Sequence, residues 1–310
     1  MLRALFLGLS EANWAKSLIM KIGPARRSAL RFVAGDTLED AIKAARRLNK
    51  NGLEVTLDHL GESVTDEASA RKAAQAYHDM IGAIAESGVR ATVSLKLTQL
   101  GLDIREDLCL EQMRAILNQA QATGNHVTID MESTEHTDAT LKVFRTLHDD
   151  YEYDNVGTVI QAYLYRSEAD MQALASEGAF VRLCKGAYKE PPDLAFPDKA
   201  DVDANFVKLT ELFLAPEAQQ AGAYLGIATH DENMIDAAKR YIQANNVPPA
   251  HFEFQMLYGI RGKLQEQLRD EGYKVRIYVG YGTEWYPFFM RRLAERPANL
   301  WFILSNFFRR

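Results

Sequence analysis

Eight short apolar runs, rich in β-branched residues, recur at nearly regular intervals along the chain. They are LEVTLDHLG at 53–61, VRATVSLKL at 89–97, HVTIDME at 126–132, GTVIQAYL at 157–164, AFVRLCKG at 179–186, AYLGIATH at 223–230, HFEFQML at 251–257 and KVRIYVG at 274–280. Their length and composition predict strands. Most are separated by amphipathic, helix-favouring segments such as ASARKAAQAYHDMIGAIAESG and LCLEQMRAILNQAQATG, and glycine closes several of these, as at Gly88 and Gly124. Strands that alternate with helices build parallel β-α units. Eight such units in about 250 residues predict an α/β fold of the (β/α)8, TIM-type barrel class.

The competing architecture is an open doubly wound sheet, which commonly carries a glycine-rich dinucleotide turn after its first strand. Here that strand leads into LDHLGESVTDE, without G-x-G-x-x-G. Elsewhere Gly280-Tyr281-Gly282 comes nearest, and Trp285 stands at the third glycine's place. The barrel is therefore favoured, and a chain of 310 residues with 47% hydrophobic content can fill its core.

Composition narrows the function. A net charge of −6 argues against a nucleic-acid partner. Two cysteines, Cys109 and Cys184, are too few for a disulfide framework and fit a reducing compartment. No apolar run reaches bilayer-spanning length. The first residues, MLRALFLGLSEANWAKSLIMKIG, read as an amphipathic helix of the fold, with a transit peptide as the alternative.

In a barrel of this class the chemistry sits at the C-terminal strand ends. Polar residues stand there on every predicted strand: Asp58, His59 and Glu62; Lys96; Asp130 and Glu132; Gln161; Arg182 and Lys185; Thr229, His230 and Asp231; Gln255; Tyr278. Each has a bland reading, because strands end where loops begin. Lys96 and Asp130 are sharper, since each interrupts an apolar strand where an unpaired charge is costly. They come from neighbouring strands and can pair with one another, for structure or for function. Alternation places Arg182 and Cys184 on one side of their strand and Lys185 on the other. An inward Arg182 brings a guanidinium to the barrel mouth, and Gly186 allows close backbone approach to a ligand. No H-x-H or H-x-x-x-H pair is present, so no metal centre is expected. Lys96 or Lys185 as a Schiff-base nucleophile remains the rival chemistry, with arginines expected as their neighbours.

The stretch YGTEWYPFFMRRLAERP reads as a helix capped by Thr283, with Pro287 in its first turn. Phe288, Arg291, Arg292 and Glu295 share one face of it, and Glu295 can steady either arginine. Two guanidiniums among aromatics suit bidentate recognition of a carboxylate or phosphate.

VSLKLTQLG, TIDMES, VIQAYL, VRLCKGAYKEP, IATHD, FEFQMLYG and RIYVGYGTEWYPFFMRRLAERPANL, in this order, resemble the proline dehydrogenases, the flavin-dependent barrel family. The length is similar to that of monofunctional bacterial members. The resemblance implies FAD at the strand ends and oxidation of L-proline to Δ1-pyrroline-5-carboxylate by hydride transfer. Electrons would pass to a membrane quinone, and a separate pyrroline-5-carboxylate dehydrogenase would take the product. Residues 1–50 would be an N-terminal helical segment packed on a catalytic barrel of residues 51–310, with the last helix over the barrel mouth. Arg291, Arg292 and Lys96 would bind the proline carboxylate, and Leu257 and Tyr278 would pack on its ring. Asp130 and Arg182 would be the catalytic pair, Arg182 also touching the isoalloxazine. Met131, Gln161, Lys185, Gly186, Ala187, Thr229 and His230 would line the cofactor site. Cytoplasmic localisation is implied, with peripheral contact at the inner membrane face as an open alternative. Two positions depart from the family pattern: Cys184 replaces a common valine, and Phe288 stands where many members carry tyrosine.

Overall fold

A computed structural model describes residues 31–61, 64–286, 288 and 290. Eight parallel strands form a closed barrel in sequential order, β8 pairing with β1. They are β1 (Glu54–His59), β2 (Ala91–Leu95), β3 (Val127–Ile129), β4 (Val156–Gln161), β5 (Phe180–Cys184), β6 (Tyr224–Ala228), β7 (Phe252–Leu257) and β8 (Val275–Tyr281). Each lies within one of the eight apolar runs or extends one residue beyond it, as β4 and β8 do.

The helices are α1 (Leu38–Lys50), α2 (Glu67–Ser87), α3 (Glu106–Ala122), α4 (Thr134–Arg145), α5 (Ser167–Ser176), α6 (Lys199–Phe213), α7 (Pro216–Gln220), α8 (Glu232–Ala244) and α9 (Gly262–Asp270). Local chemistry sets their ends. Thr37 caps α1 in a reciprocal box with Asp40. Asp66 caps α2, which stops at Gly88 in the left-handed region at φ 65°. Helix α1 precedes the first strand, yet it packs against both β1 and β8 and so covers the seam where the barrel closes. Beside it, Ala34 N donates to Gly280 O at 2.9 Å and Gly282 N to Gly35 O at 2.9 Å, tying the chain before α1 to the end of β8.

Strand parity divides the side chains into two sets. Val55, Leu57, Val93, Leu95, Val181, Leu183, Leu225 and Ile227 are fully buried between sheet and helices. The register puts the other set inside the barrel. Thr56, Thr92, Ser94 and Thr128 follow one another around its wall, as do Arg182, Gly226 and Glu253. The interior is thus largely polar, where many such barrels carry Val, Ile and Leu.

Candidate active site

A cavity of about 590 Å³ opens at the C-terminal ends of the strands. Lys96 and Asp130, expected inside their strands, stand one residue beyond the ends of β2 and β3. They still pair, Lys96 Nζ lying 3.5 Å from Asp130 Oδ2. Lys96 is also 3.2 Å from Oδ2 of Asp58, an inward residue of β1 with no exposed surface. Asp130 Oδ1 accepts from Arg182 Nη1 at 2.6 Å and from Ser94 Oγ at 2.8 Å. The Tyr278 hydroxyl reaches both carboxylates, 2.7 Å from Asp58 and 2.6 Å from Asp130, so one phenolic proton serves two acceptors.

The electrostatics follow from this crowding. Burial works to raise the Asp130 carboxyl, but Lys96 and Arg182 outweigh it and hold it below its ordinary value. Burial works to lower the Lys96 ammonium, and Asp58 and Asp130 overcome that and push it up. Tyr278 is pushed well up, first by burial and then by the same two carboxylates, so it stays protonated. Among the described residues the groups that meet Lys96 are carboxylates, Asp58 and Asp130, and not the arginines expected to depress it. Its amine is held charged, and a Schiff-base role loses its basis. Lys185 sits between Asp203 at 2.5 Å and Asp231 at 2.8 Å.

The remaining expected cofactor residues lie around the same cavity. Met131, Gln161, Lys185, Gly186, Ala187, Thr229 and His230 all line the cavity, as do Leu257 and Phe288. Lys185 does so despite its outward parity, because β5 ends at Cys184 and strand alternation ends with it. Gln161 joins two loops, donating to Glu132 O at 2.8 Å and accepting from Ala187 N at 3.3 Å. His230 Nε2 accepts from Leu257 N at 2.9 Å, which fixes its tautomer with the proton on Nδ1. Phe288 lies in a helical segment with Trp285, Tyr286 and Met290, and its ring stacks over Tyr278 at 6.5 Å and 10°. Arg291, Arg292 and Glu295 lie outside the described residues.

The residues fit a flavin. Arg182 Nη2 is buried without a hydrogen-bond partner among the described residues, on a side chain that lines the cavity. Gly186 has φ +119°, and a Cβ there would come 2.4 Å from the Tyr163 ring. Apolar walls from Val159, Met256 and Ile260 complete the space. An unmade buried donor and an apolar slot are what a planar ring with acceptor atoms needs, and Gly186 lets the lining loop pack directly on Tyr163.

At the centre, Asp58 and Gln255 had been named only as polar strand ends, and Ser94 had not been named at all. All three have the parity of residues that were singled out. Asp58 interrupts an apolar strand just as Asp130 was expected to, and that signal was sufficient to find it.

Fold and site together define a (β/α)8-barrel enzyme with its chemistry at the C-terminal strand ends. The family profile described as Proline dehydrogenase matches residues 41–304. The chain is 45% identical over 306 residues to Proline dehydrogenase 1 of Bacillus subtilis, covering 99% of each. It is 43% identical to the Proline dehydrogenase of Deinococcus radiodurans, covering 90% of this chain and 89% of that one. Among solved structures it is similar to proline utilization A from Bdellovibrio bacteriovorus inactivated by N-propargylglycine, with a TM-score of 0.81 and 26% identity. That match covers 87% of this chain and 33% of the larger one. The chain belongs to the proline dehydrogenase family and is an oxidoreductase.

Proposed function

We propose that the chain binds FAD at the strand ends and oxidises L-proline to Δ1-pyrroline-5-carboxylate, with a membrane quinone as electron acceptor. The observation that carries this reading is Arg182, a buried guanidinium held by Asp130 on one side, with Nη2 at the cavity unpartnered among the described residues. When bound, FAD supplies the acceptor for the hydride that leaves the ring carbon beside nitrogen.

The chain's own residues do the rest. Arg182 presents a preorganised donor where negative charge would gather on the cofactor, at no reorganisation cost. Met131, Gln161, Lys185, Gly186, Ala187, Thr229 and His230 hold the cofactor. Asp130, as the catalytic carboxylate, anchors Arg182, Lys96 and Tyr278 at once. Lys96 faces the substrate carboxylate, while Leu257, Tyr278 and Phe288 enclose the ring and exclude water. Lys96 and Arg182 are balanced by Asp58 and Asp130, so the described cluster has no surplus positive charge for an anion. Arg291 and Arg292, steadied by Glu295, supply that surplus in this reading. They do so from a last helix laid over the mouth, since α1 already covers the β8/β1 seam.

Residues 1–50 then form a helical segment packed on a single barrel of residues 51–310. The product goes to a separate pyrroline-5-carboxylate dehydrogenase. Cytoplasmic localisation with peripheral membrane contact accords with the finding that no described helix is long and apolar enough to cross a bilayer. The deciding experiment is the absorption spectrum of the purified protein. A flavin spectrum bleached by L-proline supports the proposal; a protein that takes up no FAD overturns it.

A further inference from the structure

We propose that Gln255 is a positioning residue for Arg182, with its amide orientation set by Glu253 and its room set by Gly226. The inference rests on the proposed contact between Arg182 and the cofactor.

Glu253 lies one inward position below Gln255 on β7 and has no exposed surface. Its carboxylate is bound by Arg276, with Nε at 2.5 Å and Nη2 at 3.1 Å, and by Lys274 at 3.1 Å. It also accepts from Gln255 Nε2 at 2.8 Å. The other end of that amide, Oε1, accepts from Arg182 Nε at 2.6 Å. A carboxylate only accepts and a guanidinium only donates. An amide between them therefore has a single satisfied orientation. Flipped, it would set carbonyl against carboxylate and NH2 against guanidinium, in a buried place where both contacts are costly.

The consequence for Arg182 is geometric. Gln255 fixes Nε, while Asp130 at 2.6 Å and Ser94 at 3.0 Å fix Nη1. The guanidinium is rigid and planar, so two fixed directions determine the third. The third is Nη2, the buried donor without a partner among the described residues. Asp130 alone would leave the group free to pivot about that contact.

Arg182 on β5 and Gln255 on β7 are separated by β6, and Gly226 makes the bridge possible. Gly226 is the register partner of Arg182 on one side and of Glu253 on the other. A Cβ at Gly226 would lie 2.5 Å from Gln255 Nε2 and 2.9 Å from its Cδ. Space, rather than backbone conformation, requires glycine here. The substitution Gly226→Ala displaces the amide without altering either charged partner.

The test compares the midpoint potential of bound flavin in wild type, Gln255→Met, Gly226→Ala and Arg182→Met, with FAD content and circular dichroism measured for each. Both positioning variants are expected to keep the fold and the flavin. Both should lower the potential in the same direction as Arg182→Met, by at least tenfold in the oxidised-to-reduced equilibrium, about 30 mV for a two-electron couple. A merely structural role would move thermal stability and leave the potential of the loaded flavin alone. The inference is overturned if both variants keep the wild-type potential, if Arg182→Met itself leaves it unmoved, or if both variants fold without taking up FAD. It is also overturned if neither variant folds, since the string would then hold the barrel and not the guanidinium. Wild-type protein without flavin removes the proposed function and this inference with it. Flavin bleached by L-proline in the wild type, with unmoved potentials in the variants, removes the inference alone.

Discussion

Replacing Glu253 by glutamine removes a buried charge whose worth can be worked out from its surroundings. Burial works to raise the Glu253 carboxyl, but Arg276 and Lys274 dominate and hold it down at about 2, against an ordinary 4.5. At about 1.4 kcal/mol per unit, that gap corresponds to on the order of 3 kcal/mol of folding stability. The figure meets the roughly 3–5 kcal/mol lost when one partner of a buried pair is removed. The sign is fixed by linkage. Between pH 4.5 and 2 the unfolded chain carries a proton on this glutamate that the folded chain lacks, so acid favours unfolding. The contribution is complete above the upper value and lost as pH falls through the lower one. Glutamine does not titrate. Urea unfolding of wild type and Glu253→Gln, followed by circular dichroism from pH 7 downward, reads the difference. The variant should be less stable by about 3 kcal/mol at pH 7, with similar m-values. The gap should narrow steadily as pH drops below about 4.5, while the other carboxylates, common to both proteins, cancel. A gap that stays constant down to pH 3 would refute the assignment of this stability to an ionised Glu253.

Lys96→Met removes the cation between Asp58 and Asp130. It should raise the KM for proline at least tenfold, about 1.4 kcal/mol, with FAD still bound, and steady-state kinetics with a dye acceptor would show an unmoved KM if the assignment is wrong. Gly186→Ala puts a Cβ 2.4 Å from the Tyr163 ring at a φ of +119°. The ratio of flavin to protein absorbance should fall severalfold, and full loading would count against close backbone approach at this position. Arg291→Lys and Arg292→Lys lose bidentate geometry. Each should raise KM for proline by tenfold or more with the flavin spectrum intact, and wild-type kinetics in both would sink the carboxylate clamp.

The sequence carried the architecture well because its signals are local. All eight apolar runs contain strands, Gly88 ends its helix and Gly124 follows the end of the next, and of the two sides that parity left open for Arg182 the barrel turns it inward. Parity also held the information for Ser94 and Glu253, which were not named because polar residues inside strands have a bland reading; Asp58 was named only as a strand end. Where a strand stops, parity stops too, and Lys185 came to the cavity against it.

Sequence alone therefore determined the order of strands and helices, the two faces of each strand and the residues available at each strand end. A period of two and a helical period need only near neighbours to express them. Tertiary structure decided which of those residues meet. Ser94 and Arg182 are 88 residues apart in the chain and 3.0 Å apart in the barrel. Gln255 reaches Arg182 across a strand only because Gly226 has no side chain there. Among the described residues Lys96 meets the carboxylates of Asp58 and Asp130, which push its ammonium up. Such partnerships arise from barrel closure and the register between strands, and these bring inward residues of opposite walls within hydrogen-bond reach.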